Sequence, residues 1–456
     1  MATIKNKRIE SILSEALGIL KPSDEEIMTT TTFSNQIMER LRIEAPKDVD
    51  IIMAGSVSRG TQIRGSSDID IFMLFPKTSN SKSMEDKGMR IAKRIVDKKR
   101  GEYYKIKYAE HPYLQLISKN PPIKADIVPA FKIKDSYERG SSVDRTQLHN
   151  VFVMENFTKK QCDDVRLLKG FLKFHSIYGA EAKIEGFSGY LSELLIYNYG
   201  SFMNTLSSIS KLKLPISIDP KSRSILSAEK NIYFKSDFVI LDPTDENRNV
   251  AAAVSKEALS KFILISRRFL KNPSIDFFYG NEYSDNNSKS RLNALRTKYG
   301  FDMYNITFEV FNISEEILWQ QSKKLTKQLE DILQKNSFNP IISLIDIRGG
   351  SGIISIFLNK YELNSVVRQG PDVFIENASD SFMEKNQLVF IKGYKIMSLK
   401  HTEFNTPMNL MRGILKSNAL TIPSYIKKKS IHISLNKISE SNAKLIYRRY
   451  IELTKI

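Results

Sequence analysis

Apolar positions recur at helical spacing from the start of the chain: Ile9, Ile12, Leu13, Ala16, Leu17 and Leu20 fall at i, i+3, i+4, i+7, i+8 and i+11. This stripe predicts an amphipathic helix that packs on the first domain, not an export signal. "PSDEEI" (22–27) then offers Ser23 as an N-cap with acids in the first turn, opening a second helix to about Arg42. The period next shortens. "VDIIMAGS" reads as a buried strand ending in a Gly-Ser turn, and "DIDIFMLF" as a strand with Asp68 and Asp70 on one face and Ile69 and Ile71 on the other. A charged helix over about 83–99 and strands in "EYYKIKYA", "PYLQLIS" and "IKADIVPAF" complete a mixed sheet with helices on it.

"SSVDRTQLHN" (141–150) reads as a hinge. The stretches after it, "DDVRLLKGFLKFHSIYG" and "FSGYLSELLIYNYGSFMNTL", carry helical spacing and predict a helical second domain to about Asn272. Beyond it a strand in "YNITFEVFN", a helix over 314–335 and strands in "PIISLIDI" and "GIISIFLN" alternate as in a ferredoxin-like or RNA-recognition-type layer. The expected organisation is therefore 1–150, 151–272, 273–380 and a tail, 381–456, with "NEYSDNNSKSR" (281–291) as the best linker or loop. "RGGSG" (348–352) has the glycines of a phosphate loop but no Gly-Lys-Ser/Thr ending, and predicts a hairpin turn between two strands.

Charge changes the picture. Lys and Arg number 69 against 51 Asp and Glu, a formal charge of +18 that points to a polyanionic partner, nucleic acid first. Residues 381–456 alone hold 14 Lys and Arg against 4 Asp and Glu, so the contact surface is expected there. At 456 residues the chain exceeds one ordinary core. The lone cysteine, Cys162, excludes an intramolecular disulfide and a cysteine-rich zinc site, and fits a reducing, cytoplasmic setting. Apolar runs stay short of the roughly 18 residues that span a bilayer, so no membrane association is expected. A monomer or homodimer is expected over a large assembly.

Side chains two apart on a strand point the same way, so Asp68 and Asp70 place like charges about 6.5–7 Å apart on one face. Unpaired and buried, they would be costly to ionise. A divalent cation, Mg²⁺, resolves this, and Asp126 in "IKADIVPAF" is the candidate third carboxylate of a two-metal phosphoryl-transfer site. Gly55 and Ser56 in the preceding turn offer backbone N–H groups and a hydroxyl to phosphates, and Arg59 follows one turn on.

The stretches "GSVSRGTQIRGSSDIDIF", "KYAEHPY", "ADIVPAF", "DRTQLHN", "VRLLKGFLKFHSIYGAE", "GFSGYLSELLI" and "LDPTDENRNVAA" together resemble the polymerase-β-type nucleotidyltransferases, and more narrowly the class I, archaeal-type CCA-adding enzymes. The likeness runs from about 50 to 255 and loosens in the C-terminal third. It implies an α+β multidomain fold: a polymerase-β-like nucleotidyltransferase head with a mixed sheet and helices, a helical neck, a ferredoxin-like or RNA-recognition-type body, and a basic tail. It implies that Asp68 and Asp70 hold Mg²⁺ and that Asp126 activates the 3′-hydroxyl of tRNA, with CTP and ATP as the other substrates. It sets Ser56, Arg59, Thr146, His149, Lys169 and Tyr178 around the triphosphate, Arg248 at the edge of the incoming base, and Glu110 and His111 near the nucleotide pocket. The alternatives are a poly(A)-type or other terminal nucleotidyltransferase, and a catalytically silent RNA-binding protein.

Overall fold

The chain opens with α1 (Ala2–Leu20) and α2 (Asp24–Glu44), and Ser23 caps the second by accepting from the Glu26 backbone N–H at 3.1 Å. The computed structural model describes residues 2–66, 68–77, 80–108, 111–138, 141, 143–280, 287–311, 313–417 and 419–455, with side chains from residue 7. Two units result, Met1–Gly280 and Asn281–Lys455.

In the first unit, β1 (Asp50–Ala54) runs into the single turn α3 (Gly55–Ser58), and β2 (Asp68–Phe75) into α4 (Ser81–Arg94). The meander β3 (Tyr103–Tyr108), β4 (Pro112–Ile117) and β5 (Lys124–Phe131) follows. The sheet order is β1-β2-β5-β4-β3, with β2 and β5 parallel and the other neighbours antiparallel. Alternation along β2 decides its two faces. Ile69, Ile71, Met73 and Phe75 pack with Phe33, Ile37 and Leu41 of α2 and Met84, Met89 and Ile91 of α4. Phe72 and Leu74 face the other way, onto Ala54 and Ala130, leaving the front of that second face to Asp68 and Asp70.

Buried Asp144 accepts the N–H groups of Phe131 and Ser141, both at 2.8 Å, and α5 (Thr146–Asn156) starts directly after it. The boundary expected at 150/151 thus falls inside a helix.

The segment expected to be helical supplies α6 (Lys159–Phe174), α7 (Gly189–Tyr199) and α8 (Phe202–Ser210). It then folds a small sheet that the periodicity does not predict: β6 (Ile216–Asp219), β7 (Ser224–Ile225), α9 (Glu229–Phe234), β8 (Phe238–Asp242) and β9 (Asp245–Asn249), before α10 (Lys256–Lys271). Its strands, in the order β7-β6-β8-β9, are five residues or fewer, too short to establish an alternating pattern. Helix α1 packs here and not on the first sheet: Ala16 and Leu20 enter the core formed by Leu168, Phe171, Phe202 and Phe262. Gly170 explains the docking, since a Cβ there would stand 2.4 Å from Leu20 Cδ1. The apolar stripe on α1 correctly marked burial but carried no information about the partner.

In the second unit, α11 (Ser288–Tyr299) begins within the expected linker, whose residues 281–286 lie outside the described residues. Then come β10 (Phe301–Glu309), α12 (Glu315–Lys335), β11 (Pro340–Arg348) and β12 (Ser351–Asn359), the last two joined at Gly349 and Gly350 by the expected hairpin turn. A separate sheet, β13 (Ser365–Asp372), β14 (Val389–Lys392) and β15 (Lys395–His401), carries α13 (Glu376–Glu384). After α14 (Pro407–Lys416), β16 (His432–Leu435) pairs with β10, and α15 (Glu440–Thr454) ends the unit. The main sheet reads β11-β12-β10-β16, all antiparallel, which is the βαββαβ arrangement expected of a ferredoxin-like layer with its fourth strand drawn from the basic segment. Residue 381 therefore lies within one folded unit.

Candidate active site

Residues Ala54, Asp70 and Asp126 stand side by side across β1, β2 and β5, because Asp70 pairs in register with both of the others. Asp68 lies two residues before Asp70 on the same face, opposite Lys124. The three expected carboxylates are therefore gathered at the start of two parallel strands, where β1 hands over to the Gly55 turn. Gly55 is required there twice over: its φ is +74°, and a Cβ would come 1.9 Å from Asp70 Oδ2. Asp126 Oδ1 accepts from Gln115 Nε2 at 2.9 Å.

Burial, then the Asp126 charge, push the Asp70 carboxyl up to about 7, with Arg59 opposing and Asp68 adding to the rise. Asp126 is raised too, by burial first, with the Gln115 hydrogen bond, Lys107 and Lys124 drawing it down and Asp68 raising it. Tyr113 on β4 feels all three: burial raises its hydroxyl pKa, and Asp126, Asp70 and Asp68 raise it further. Among the described residues no three His, Cys, Asp or Glu side chains are drawn together closely enough to hold a metal ion by themselves. Hard carboxylate oxygens on one open face nevertheless fit Mg²⁺, which binds through one or two carboxylates together with substrate phosphates.

The linkage has a definite sign. Between the ordinary carboxylate value of 3.8 and about 7 the folded protein binds more protons at Asp70 than the unfolded chain, so folding stability falls as pH rises through that window. A cation that favours the ionised form offsets this. The melting temperature should rise on adding Mg²⁺ by more at pH 8 than at pH 5.5, and Asp70→Asn should abolish the difference; an equal rise at both pH values would contradict the assignment.

A second cluster lies where the head meets α6 and α7. Glu193, fully buried, receives Thr61 Oγ1 at 2.5 Å, Lys169 Nζ at 3.3 Å and Arg59 Nε at 3.2 Å. Lys169 is 1% exposed, and its ammonium is committed to Thr61 O, Thr61 Oγ1 and Glu193. Burial pulls the Glu193 carboxyl up, but Lys169, Arg59 and the Thr61 hydrogen bond outweigh it and hold the group below its ordinary value. Burial pushes Lys169 down, with Glu193 opposing. The Tyr178 hydroxyl stands by the same group: burial and then Glu193 push its pKa up to about 12. A Cβ at Gly189, in the "GFSGY" stretch, would come 3.1 Å from that hydroxyl.

The third cluster centres on Asp242 at the end of β8, 2% exposed. Its Oδ2 takes His149 Nε2 and Arg248 Nη1, each at 2.8 Å, and Oδ1 takes Tyr190 Oη at 3.1 Å and the Thr244 N–H and hydroxyl at 2.9 and 2.8 Å. The Tyr190 ring stacks on His149 at 3.9 Å. Burial lowers the His149 pKa against the pull of Asp242, while His149, Thr244 and Arg248 together keep Asp242 well below the carboxylate range against its own burial. Arg248 stays about one-third exposed, with its guanidinium held by Asp242 at Nη1.

Of the residues singled out from sequence, Asp68, Asp70, Asp126, Gly55 and Ser56 share the sheet front. Arg59, Lys169 and Tyr178 meet at Glu193, and His149 and Arg248 at Asp242. Thr146 is half-buried at the start of α5, one turn before His149. His111 Nδ1 lies 2.7 Å from Glu85 Oε1 on α4. Glu110 lies outside the described residues. Sequence reasoning missed Glu193 and Asp242. Glu193 had a signal, being the only charged residue in α7; Asp242, before a proline at the end of an apolar strand, reads as an ordinary turn residue.

Comparison with known proteins places this geometry in a class. The family model "Nucleotidyltransferase domain" matches residues 34–149, the segment that carries all three carboxylates. Two others, "tRNA nucleotidyltransferase, second domain" and "CCA-adding enzyme, C-terminal domain", match 163–279 and 299–432. The CCA-adding enzyme of Methanocaldococcus jannaschii is 32% identical over 95% of this chain and 96% of its own length. Those of a Methanococcus maripaludis strain and Archaeoglobus fulgidus are 34% and 30% identical, over 94% and 91% of this chain and 97% and 91% of theirs. The chain belongs to the CCA-adding enzyme family. Among the described residues no helix is long and apolar enough to cross a membrane.

Proposed function

We propose that the chain extends the 3′ end of tRNA by C, C and A in turn from CTP and ATP, without a nucleic-acid template and with release of pyrophosphate. The observation that carries the chemistry is the register of Asp70 against Asp126, with Asp68 on the same face. In this reading Asp126 orients the 3′-hydroxyl and accepts its proton as the oxygen forms a bond to the α-phosphorus and the bond to pyrophosphate breaks. Asp68, Asp70 and Asp126 hold Mg²⁺, which when bound polarises the phosphate oxygens and neutralises charge at the leaving group. Ser56 and the Gly55 turn meet the triphosphate, and Arg59 adds positive charge behind it while tied to Glu193. Thr146, His149, Lys169 and Tyr178 line or brace the same pocket, and the basic C-terminal unit grips the tRNA backbone.

One base pocket has to serve two nucleotides. Cytosine and adenine both present an amino group beside a ring nitrogen that accepts a hydrogen bond, whereas uracil and guanine present a carbonyl beside a ring N–H. A donor fixed as Arg248 is fixed by Asp242 separates these patterns, and a hydrogen-bonding site of this kind discriminates by on the order of 10⁴.

The test is extension of tRNA transcripts ending before CCA, after one C and after two, with each nucleoside triphosphate alone and with CTP plus ATP. C on the first two, A on the third and then arrest is expected. Repeated A addition would replace this reading with a poly(A)-type one, and binding without extension with a silent RNA-binding protein. In the same assay Arg248→Ala and Asp242→Asn should each reduce the preference for CTP over UTP by at least about 10-fold, the scale of one lost bidentate contact to a base edge.

A further inference from the structure

The face that bears the carboxylates continues past them to the exposed edge of the sheet. Opposed residues of antiparallel strands share a face. Gln115 pairs with Asp126, and Lys105 with Gln115, so the carboxylate side of β5 extends across β4 to β3. Tyr103, Lys105 and Lys107 of β3 therefore stand on that face, opposite Ile117, Gln115 and Tyr113, while Lys124 stands beside Asp68. Every residue of β3 is exposed. Among the described residues Lys105, Lys107 and Lys124 form no close ion pair, and only Lys107 and Lys124 are near enough to draw on the Asp126 charge, so three exposed ammonium groups border a carboxylate site.

We propose that β3 and β4 form the track for the single-stranded 3′ end of the RNA, with Lys107 and Lys105 on its last phosphates and Tyr113 beneath its terminal nucleotide. The inference deepens the reading above and rests on it. Three observations favour an RNA strand over any other occupant. The charge is complementary to phosphate, and no acid on β3 opposes it. Strands lie about 4.8 Å apart, so β3 runs roughly 10 Å from Asp126, within one or two nucleotides of a hydroxyl placed there. Lys105 and Lys107, two apart, are spaced by about 6.5–7 Å, comparable to successive phosphates of an extended strand. An aromatic side chain beside a basic lane is the usual means of holding a single strand without reading its sequence. That suits an end whose terminal base changes with each addition.

A bland role also exists for these lysines, since charges on an edge strand prevent edge-to-edge pairing between copies. The experiment separates the two. Lys105→Thr/Lys107→Thr keeps β-compatible side chains, and Lys105→Arg/Lys107→Arg keeps the charge. Steady-state kinetics would be run with transcripts ending before CCA and after CC, at several salt concentrations. The threonine variant should raise the KM for the transcript ending in CC by about 10-fold and the KM for the other transcript less, with the KM for CTP unchanged on the first. Its salt slope should be shallower by roughly 1.4, about 0.7 per lost single-strand phosphate contact. The arginine variant should retain wild-type values. Unchanged RNA KM and salt slope in the threonine variant would overturn the track and leave the lysines as guards of the edge. A rise confined to the KM for CTP would overturn it as well. Failure of the wild-type chain to add C, C and A would instead remove the reading on which the track rests.

Discussion

Replacing Asp70 by Asn is expected to lower nucleotide addition by at least about 100-fold while tRNA binding, measured by filter retention at fixed salt, stays within a factor of two. The magnitude is that of removing one strong electrostatic stabiliser from a transition state. Asp70 is the centre of the group: it pairs in register with Asp126, its carboxylate fills the space left by the missing Cβ of Gly55, and burial, then the Asp126 charge, push its pKa up to about 7. Asn is close in shape, so the turn and sheet should persist. Asp126→Asn should behave alike. Equal loss of binding and catalysis would show that these carboxylates shape the RNA surface and do not act on the reacting atoms.

Glu193→Gln carries the largest expected effect on stability. Glu193 is the acid to which Lys169, Arg59 and Thr61 all donate, and the substitution deprives two buried cations of that shared counter-charge. Removing one member of a buried ion pair costs about 3–5 kcal/mol. Urea denaturation should show a loss of this size, and Lys169→Met placed on top of Glu193→Gln should recover part of it, because one of the two stranded charges is then gone. A loss under about 1 kcal/mol, or no recovery, would mean that water already reaches the cluster and screens it.

The difference in how these two sites announce themselves in the sequence is physical. Two aspartates alternating with isoleucines on a strand break a local rule, because they set like charges on a sheet, and the exception marks chemistry before any coordinates exist. Asp126 follows from the same alternation in "IKADIVPAF". Glu193 breaks a rule more quietly, as one charge in an apolar helix, and its partners come from residues 59, 61 and 169, which no local pattern connects. Asp242 breaks none, since an aspartate before a proline at a strand end needs no explanation. Elements with long, strongly periodic patterns, such as α12 and the β11–β12 hairpin, were legible. The small sheet β6–β9 was not, because its strands are shorter than the window over which a period can be recognised. The docking of α1 depended on Gly170, where the decisive quantity is an atom that is missing.

The fourth strand of the C-terminal sheet has a consequence for synthesis. β10 begins at Phe301, yet its outer neighbour β16 ends at Leu435, so the backbone edge of β10 lacks its partner until almost the whole chain has been made. Throughout that interval a mostly buried, apolar strand presents open hydrogen-bonding groups beside a growing polypeptide, the condition under which incomplete chains associate with one another. Residues after 430 thus act as a closing seal on the C-terminal unit, and a chain that stops short of them ends translation with an adhesive edge.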